Sequence, residues 1–384
     1  MNKKIVFISD FNFSGSGYLN ISIPICKGLA ELGYDIKAIG LGYRGEEHNL
    51  DFALIPCQSS QDSHVMLNNL HYVWNPDVVI VAMDIPYLEK YASICKQLGM
   101  KIIVVTPLEN APLTITWSIL LGQMDKVFFI SQLGEDEAKK VGLEAEHLVV
   151  GMDTKSWRMR TSEEYTKGRG MLNISPDTLV VLTVADNQER KNLSKAMEII
   201  SKVKHEGKIK VRYILVTKEN SPVGWKLRDL AMYYKIPSDV MIFERGISFK
   251  ELYSLYAISD AFLLTSKAEG LCMPVMEAMS VGVPVVATAC GSLPELLGTE
   301  YKWQRGFLME TEYSMIDPWG NEYRNFPLAE SGMEALAEVS NQAITSPLVA
   351  PNRARIYMEE RTWDKPIQQL VDAMEKMNNE TETE

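Results

Sequence analysis

Two kinds of apolar pattern alternate along the chain. Short runs of aliphatic and β-branched residues recur at 5–9, 36–41, 78–82, 102–106 and 127–130. Polar or glycine-containing stretches bound each run, which is how buried strands read. Between them apolar residues fall at helical spacing, as in Ile21, Ile25, Leu29 and Leu32, stopped by Gly33. Pro24 inside that pattern predicts a kink or a late helix start. The alternation then repeats, with strand-like runs at 179–185, 211–217, 240–243, 261–264 and 283–287. Two successive βαβ arrays predict an α/β fold with two doubly wound sheets, ligands binding beyond the carboxyl ends of the strands. The border is expected near 151–165, where Asp153, Lys155 and Ser156 open a polar stretch. The expected domains are 1–155 and 156–352. A long helix is expected over 353–377, and a polar, acidic tail without fixed structure over 378–384.

The stretch SKAEGLCMPVMEAMSVGVPVVAT, 266–288, bears most directly on chemistry. It reads as strand end, loop, helix and strand. Pro274 suits the first turn of the helix, where its missing N–H costs nothing, and Gly282 suits the left-handed stop. A helix start beyond a strand end receives anions through its backbone N–H groups, here those around Gly270, Leu271, Cys272 and Met273. Glu269 stands just before that start and Glu277 about one turn in. Carboxylates repel phosphates and accept from hydroxyls. A ligand with a diphosphate and hydroxyl-rich rings fits both features, Glu269 then holding a transferred sugar and Glu277 a ribose. Equally, both carboxylates are what the helix dipole alone favours. Cys272 reads from its surroundings as a packing residue.

Other strand-end loops add candidates. DFNFSGSGY, 10–18, offers Gly15 and Ser16 for close backbone approach to a diphosphate or sugar, although it lacks both the full dinucleotide fingerprint and a Walker lysine. VADNQERKNL, 184–193, brings Arg190 and Lys191 to the start of the next helix. The dipole disfavours cations there, so a leaving diphosphate explains them as well as a solvated pair does. TPLENAPLTITW, 106–117, offers Glu109 and Asn110 for an acceptor hydroxyl, with Asp84 after the run 78–82 a weaker candidate.

Composition narrows the classes. The net charge of −11 argues against nucleic acid as a partner and leaves at most peripheral membrane contact. Lys3 and Lys4 lead straight into the first strand, so no leader peptide is expected, and no apolar run is long enough to span a bilayer. Cys26, Cys57, Cys95, Cys272 and Cys290 form no CxxC pair and read as reduced thiols of a cytoplasmic protein. The five histidines show no metal-ligand spacing, and neither a GxSxG elbow nor HExxH occurs.

Together these stretches resemble retaining glycosyltransferases of the GT-B fold, specifically glycosyltransferase family four. The 266–288 stretch with GSLPELL, 291–297, is similar to the family's paired glutamates and the EAMAxGxPVVA run that follows. NQERKN, 187–192, resembles a phosphate-binding segment of one branch. GMDTKSW, 151–157, resembles the segment at the domain border, and IDPWGNEYR, 316–324, and TWD, 362–364, look like further pieces of that branch. The resemblance implies two Rossmann-like lobes facing a cleft, with a final helix crossing back to the first. It implies a nucleotide-diphosphate-sugar substrate held by the C-terminal lobe and an acceptor on the N-terminal one. The acceptor class stays open among glycans, lipid-linked glycans, small molecules and proteins. Transfer is implied to proceed with retention, without metal or other cofactor. By resemblance Glu269 contacts the sugar, Glu277 the ribose, and Arg190 with Lys191 the diphosphate.

Three positions depart from the family pattern. Ala185-Asp186 stands where Gly-Arg is frequent, Val150 where a histidine precedes the border segment, and Leu108-Glu109 where many members carry a histidine near the donor sugar. The expected chemistry is a front-face displacement, in which the acceptor attacks as the sugar–phosphate bond breaks and the leaving oxygen takes the proton. The alternatives are a GT-B nucleotide-sugar epimerase and a nucleotide-sugar-binding protein without activity.

Overall fold

The computed structural model describes residues 3–383, apart from Ser14, Tyr301, Trp303, Trp319 and 346–348. The chain forms two compact units. One comprises Met1–Met152 with Arg361–Glu384, the other Asp153–Glu360.

The first unit is built on β1 (Lys4–Asp10), β2 (Asp35–Leu41), β3 (Ala53–Cys57), β4 (Val78–Ala82), β5 (Lys101–Thr106), β6 (Lys126–Phe129) and β7 (Glu146–His147). They form one parallel sheet in the order β3-β2-β1-β4-β5-β6-β7. β4 is buried at every position and β1 and β5 at all but terminal ones, which is why they read as unbroken apolar runs. Order reverses between β1 and β4, so the loops leaving those two strands diverge and open a crevice at their carboxyl ends.

The second unit repeats the plan with β8 (Leu179–Val184), β9 (Val211–Thr217), β10 (Val240–Glu244), β11 (Ala261–Leu264), β12 (Val285–Thr288) and β13 (Phe307–Met309). The order is β10-β9-β8-β11-β12-β13, again parallel, with the reversal between β8 and β11. Loops 185–192 and 265–272 leave that switch point. A separate antiparallel hairpin, β14 (Thr311–Ile316) with β15 (Tyr323–Pro327), lies outside the sheet. A core cluster including Leu193, Ile200, Tyr213, Leu263 and Val286 packs one face of the sheet against the helix Leu193–His205.

Several elements differ from the sequence pattern. Pro24 sits inside the helix Leu19–Glu31, which runs through it. The expected helix 353–377 is two helices, Val349–Glu359 and Asp364–Thr383, broken where the chain passes from the second unit to the first. The second runs on to Thr383, through the segment expected to lack structure, and Glu384 lies outside the described residues. The final helix packs on Leu19–Glu31 with Gly28 at the crossing. A Cβ built on Gly28 would lie 2.0 Å from Ile367 Cδ1. Gly28→Val is therefore expected to destabilise the protein by about 1–3 kcal/mol, read by chemical denaturation. Unchanged stability would mean that the two helices do not meet closely there.

Candidate active site

The switch point of the second sheet gathers the charged residues. After β8 the chain makes a single 3-10 turn, Glu189–Lys191, before the helix Leu193–His205. Arg190 and Lys191 thus project from that turn rather than from the helix start, with Asn192 between at φ 51°. Asn187 is buried and clamps this loop to the one after β9. Its Nδ2 donates to Trp225 O at 2.8 Å and its Oδ1 accepts from Trp225 N at 2.8 Å.

After β11 the loop 265–272 runs back toward the same turn. Lys191 Nζ donates to Glu269 Oε1 at 2.6 Å, and Arg190 Nη1 lies 3.5 Å from Glu269 Oε2. Arg190 also donates to Ala268 O at 2.8 Å. Glu269 is buried. Burial pushes its carboxyl up, but the charges of Lys191 and Arg190 outweigh that and hold it below the usual carboxylate range. One buried carboxylate is thus shared by two partly exposed cations at the turn.

The helix Met273–Val281 starts immediately after, with Pro274 in its first turn and no side chain capping it. Cys272 precedes it in the left-handed region, φ 72°. Its thiol is buried and its acidity suppressed, first by that burial and then by the Glu269 charge. Gly282 closes the helix at φ 80°, as its position suggests. Glu277 is buried one turn in, and Tyr256 OH donates to its Oε2 at 2.8 Å. Burial pushes the Glu277 carboxyl up to about 7. Tyr256, on the helix Phe249–Ile258, is itself buried and stacked on Phe262. It is a partner that sequence reading did not find. Asp186, the departure from the basic pattern, forms an ion pair with Arg245 at the end of β10.

Gly15, Ser16, Asp84, Glu109 and Asn110 belong to the first unit, at the carboxyl ends of β1, β4 and β5. Ser16 Oγ donates to Asp10 Oδ2 at 2.9 Å, and Gly15 turns the loop at φ 105°. Tyr18 OH donates to Asp84 Oδ1 at 2.6 Å. Burial raises the Tyr18 pKa well above its usual value, with Asp84, Glu109 and Asp10 adding to it. Asn110 Oδ1 accepts from Ala111 N within its own turn. Leu108 and Val150 are fully buried, so the two positions without the family's histidine are core positions here. Trp319 of the 316–324 segment lies outside the described residues, while Asp317 and Arg324 of that segment pair at 2.6 Å. Among the described residues no three His, Cys, Asp or Glu side chains gather in a metal-binding group, and no helix is long and apolar enough to cross a membrane.

Residues 166–316, which hold both switch-point loops, match the family described as Glycosyl transferases group 1. Within the matched residues lie Arg190, Lys191, Glu269 and Glu277 alike. The chain is 27% identical over 110 residues to an MMP alpha-(1->4)-mannosyltransferase of Mycolicibacterium hassiacum, covering 29% of this chain and 26% of that protein. It is 30% identical over 182 residues to a putative colanic acid biosynthesis glycosyltransferase, WcaL, of Salmonella typhimurium, covering 45% and 41% respectively. The chain thus spans less than half the length of these curated relatives. Fold similarity reaches across both units. A glycosyltransferase from Rickettsia africae superposes with a TM-score of 0.75 at 16% identity, covering 98% of each chain. HepE of Anabaena, solved with UDP and glucose, superposes with a TM-score of 0.73 at 16% identity, covering 98% of this chain and 100% of that one. The two units therefore have the GT-B fold, two parallel-sheet α/β units, which the sequence pattern anticipated.

Proposed function

We propose that the protein is a retaining glycosyltransferase that moves a hexose from a nucleotide-diphosphate-sugar to an acceptor hydroxyl, without a metal. The observation that carries this reading is the convergence of Arg190 and Lys191 on Glu269 beside the uncapped start of the helix Met273–Val281. Cations and backbone N–H groups at one point favour a diphosphate, and buried carboxylates beside it favour ring hydroxyls. The match of 166–316 to group 1 glycosyl transferases, and the Mycolicibacterium hassiacum relative named as a mannosyltransferase, support sugar transfer and a hexose.

Arg190, Lys191 and the N–H groups of 270–273 bind the diphosphate, Glu269 the sugar and Glu277 the ribose. The bond from the anomeric carbon to the phosphate oxygen breaks as the acceptor oxygen bonds the same face, and the acceptor proton passes to the departing phosphate. The enzyme's share is the stabilisation of charge growing on that diphosphate. Gly15 and Ser16 serve the diphosphate or sugar, Glu109, Asn110 and Asp84 the acceptor side, and the reaction is cytoplasmic. A thermal-shift panel of UDP-, GDP- and ADP-sugars tests the reading. A donor near a hundredfold above its Kd stabilises by about 2.7 kcal/mol, and the best one should release nucleotide when an acceptor is supplied. A panel that shifts nothing refutes the site. A shift without nucleotide release from any acceptor identifies a binding protein instead.

A further inference from the structure

Lys267 takes no part in the chemistry above, yet its charged end is buried and paired. Its side chain is 7% exposed, while its ion-pair partner Glu189 is 70% exposed. Burying an amine is costly unless charge and hydrogen bonds compensate it. Here Nζ bonds Glu189, the first residue of the turn that carries Arg190 and Lys191. The same Nζ lies 4.4 Å from the ring centroid of Phe326 on β15, within cation–π range. Phe326 in turn stacks on Tyr313 of β14, with centroids 4.4 Å apart and planes at 14°.

The backbone of Lys267 repeats the connection. Its N–H donates to Arg190 O at 2.8 Å, and its carbonyl accepts from Asn325 N at 2.9 Å. Asn325 Nδ2 fastens the hairpin once more, to Ala289 O at 2.7 Å. Both the charged end and the main chain of one residue therefore join the cationic turn to the hairpin. An apolar side chain could fill the space but could not hold Glu189, whose carboxylate would then compete for Arg190 and Lys191 beside it.

We infer that Lys267 is a positioning residue: it touches no substrate, fixes the turn that presents Arg190 and Lys191, and ties that turn to the β14–β15 hairpin so that the two order together. What binds at the turn rests on the donor reading above; the brace itself does not.

Hydrogen exchange on the full chain, alone and with UDP, GDP or ADP, tests it through peptides covering 186–193 and 311–327. Lys267→Met should speed exchange in both segments of the unliganded protein, and Lys267→Arg should restore both. Glu189→Gln, which leaves Lys267 over Phe326, should speed 186–193 and, to a smaller extent, 311–327. A nucleotide that protects 186–193 of the wild type should also protect 311–327, and in Lys267→Met that second protection should vanish while affinity falls about tenfold or more through misplaced cations. Unchanged exchange at 186–193 in Lys267→Met, or hairpin protection that survives in it, overturns the inference. If Lys267→Met does not fold, Glu189→Gln decides, and unchanged exchange at 186–193 overturns it equally. A wild type that no nucleotide protects counts against the donor reading, and the unliganded comparison still judges the brace.

Discussion

Lys191→Ala is expected to lower turnover by roughly 10²–10³, the usual loss when one donor that stabilises transition-state charge is removed. The reason is local. Lys191 holds Glu269 at 2.6 Å, and without it the nearer of the two cations beside that buried carboxylate is gone, leaving Arg190 at 3.5 Å. Stability should fall too, by up to about 3 kcal/mol, because breaking a buried ion pair strands its partner. The two effects separate in Lys191→Ala/Glu269→Gln, which removes the stranded charge. That double variant should recover most of the stability and none of the turnover. Assays run well below the melting transition decide the matter, and turnover within a factor of two of wild type would take Lys191 out of the reaction.

Glu277→Gln is expected to make the protein more stable and the donor weaker. Burial pushes the Glu277 carboxyl up to about 7 from an ordinary 4.5. A folded-state pKa above the unfolded one means stability that is fully present below pH 4.5 and lost as pH rises through about 7. At pH above that window the wild type therefore carries a penalty of about 3 kcal/mol, which Gln does not. Denaturation at acid and alkaline pH should show the two proteins alike in acid and Gln ahead in base. A gap independent of pH would exclude Glu277 as its source. Ribose hydroxyls donating to the charged carboxylate reverse the balance on binding. Donor affinity of the wild type should thus rise with pH through about 7. In Glu277→Gln it should be flat and roughly 10–100-fold weaker, the worth of hydrogen bonds to a charged group. A nucleotide-sugar is the right titrant, since its own charge stays constant across that window.

How far the sequence reaches depends on how each element is buried. The inner strands were legible because parallel strands covered on both faces read as unbroken aliphatic runs, and 78–82, 211–217 and 261–264 coincide with β4, β9 and β11. β3 was not found. It lies at the sheet edge, carries Pro56 and buries only Leu54 and Cys57, so its pattern is that of a loop. The β14–β15 hairpin escaped for the opposite reason, every residue of β14 being exposed. Local chemistry picked out Glu269, Glu277, Arg190 and Lys191, whose types are unusual where they stand. Their partners were hidden by distance along the chain. Tyr256 lies 21 residues from Glu277, and Lys267 lies 78 from Glu189. Folding sets β8 beside β11, which brings Glu189 to Lys267, and packs the helices flanking β11, which brings Tyr256 to Glu277.

The path of the chain has a genetic corollary. The first unit is assembled from two separate stretches, and Met152 N–H meets Arg361 O at 2.7 Å where the second stretch begins. The other unit is one uninterrupted stretch, 153–360. A nonsense codon at position 361 would thus delete nothing from the half that bears Arg190, Lys191, Glu269 and Glu277, while stripping its neighbour of the helix that covers Gly28.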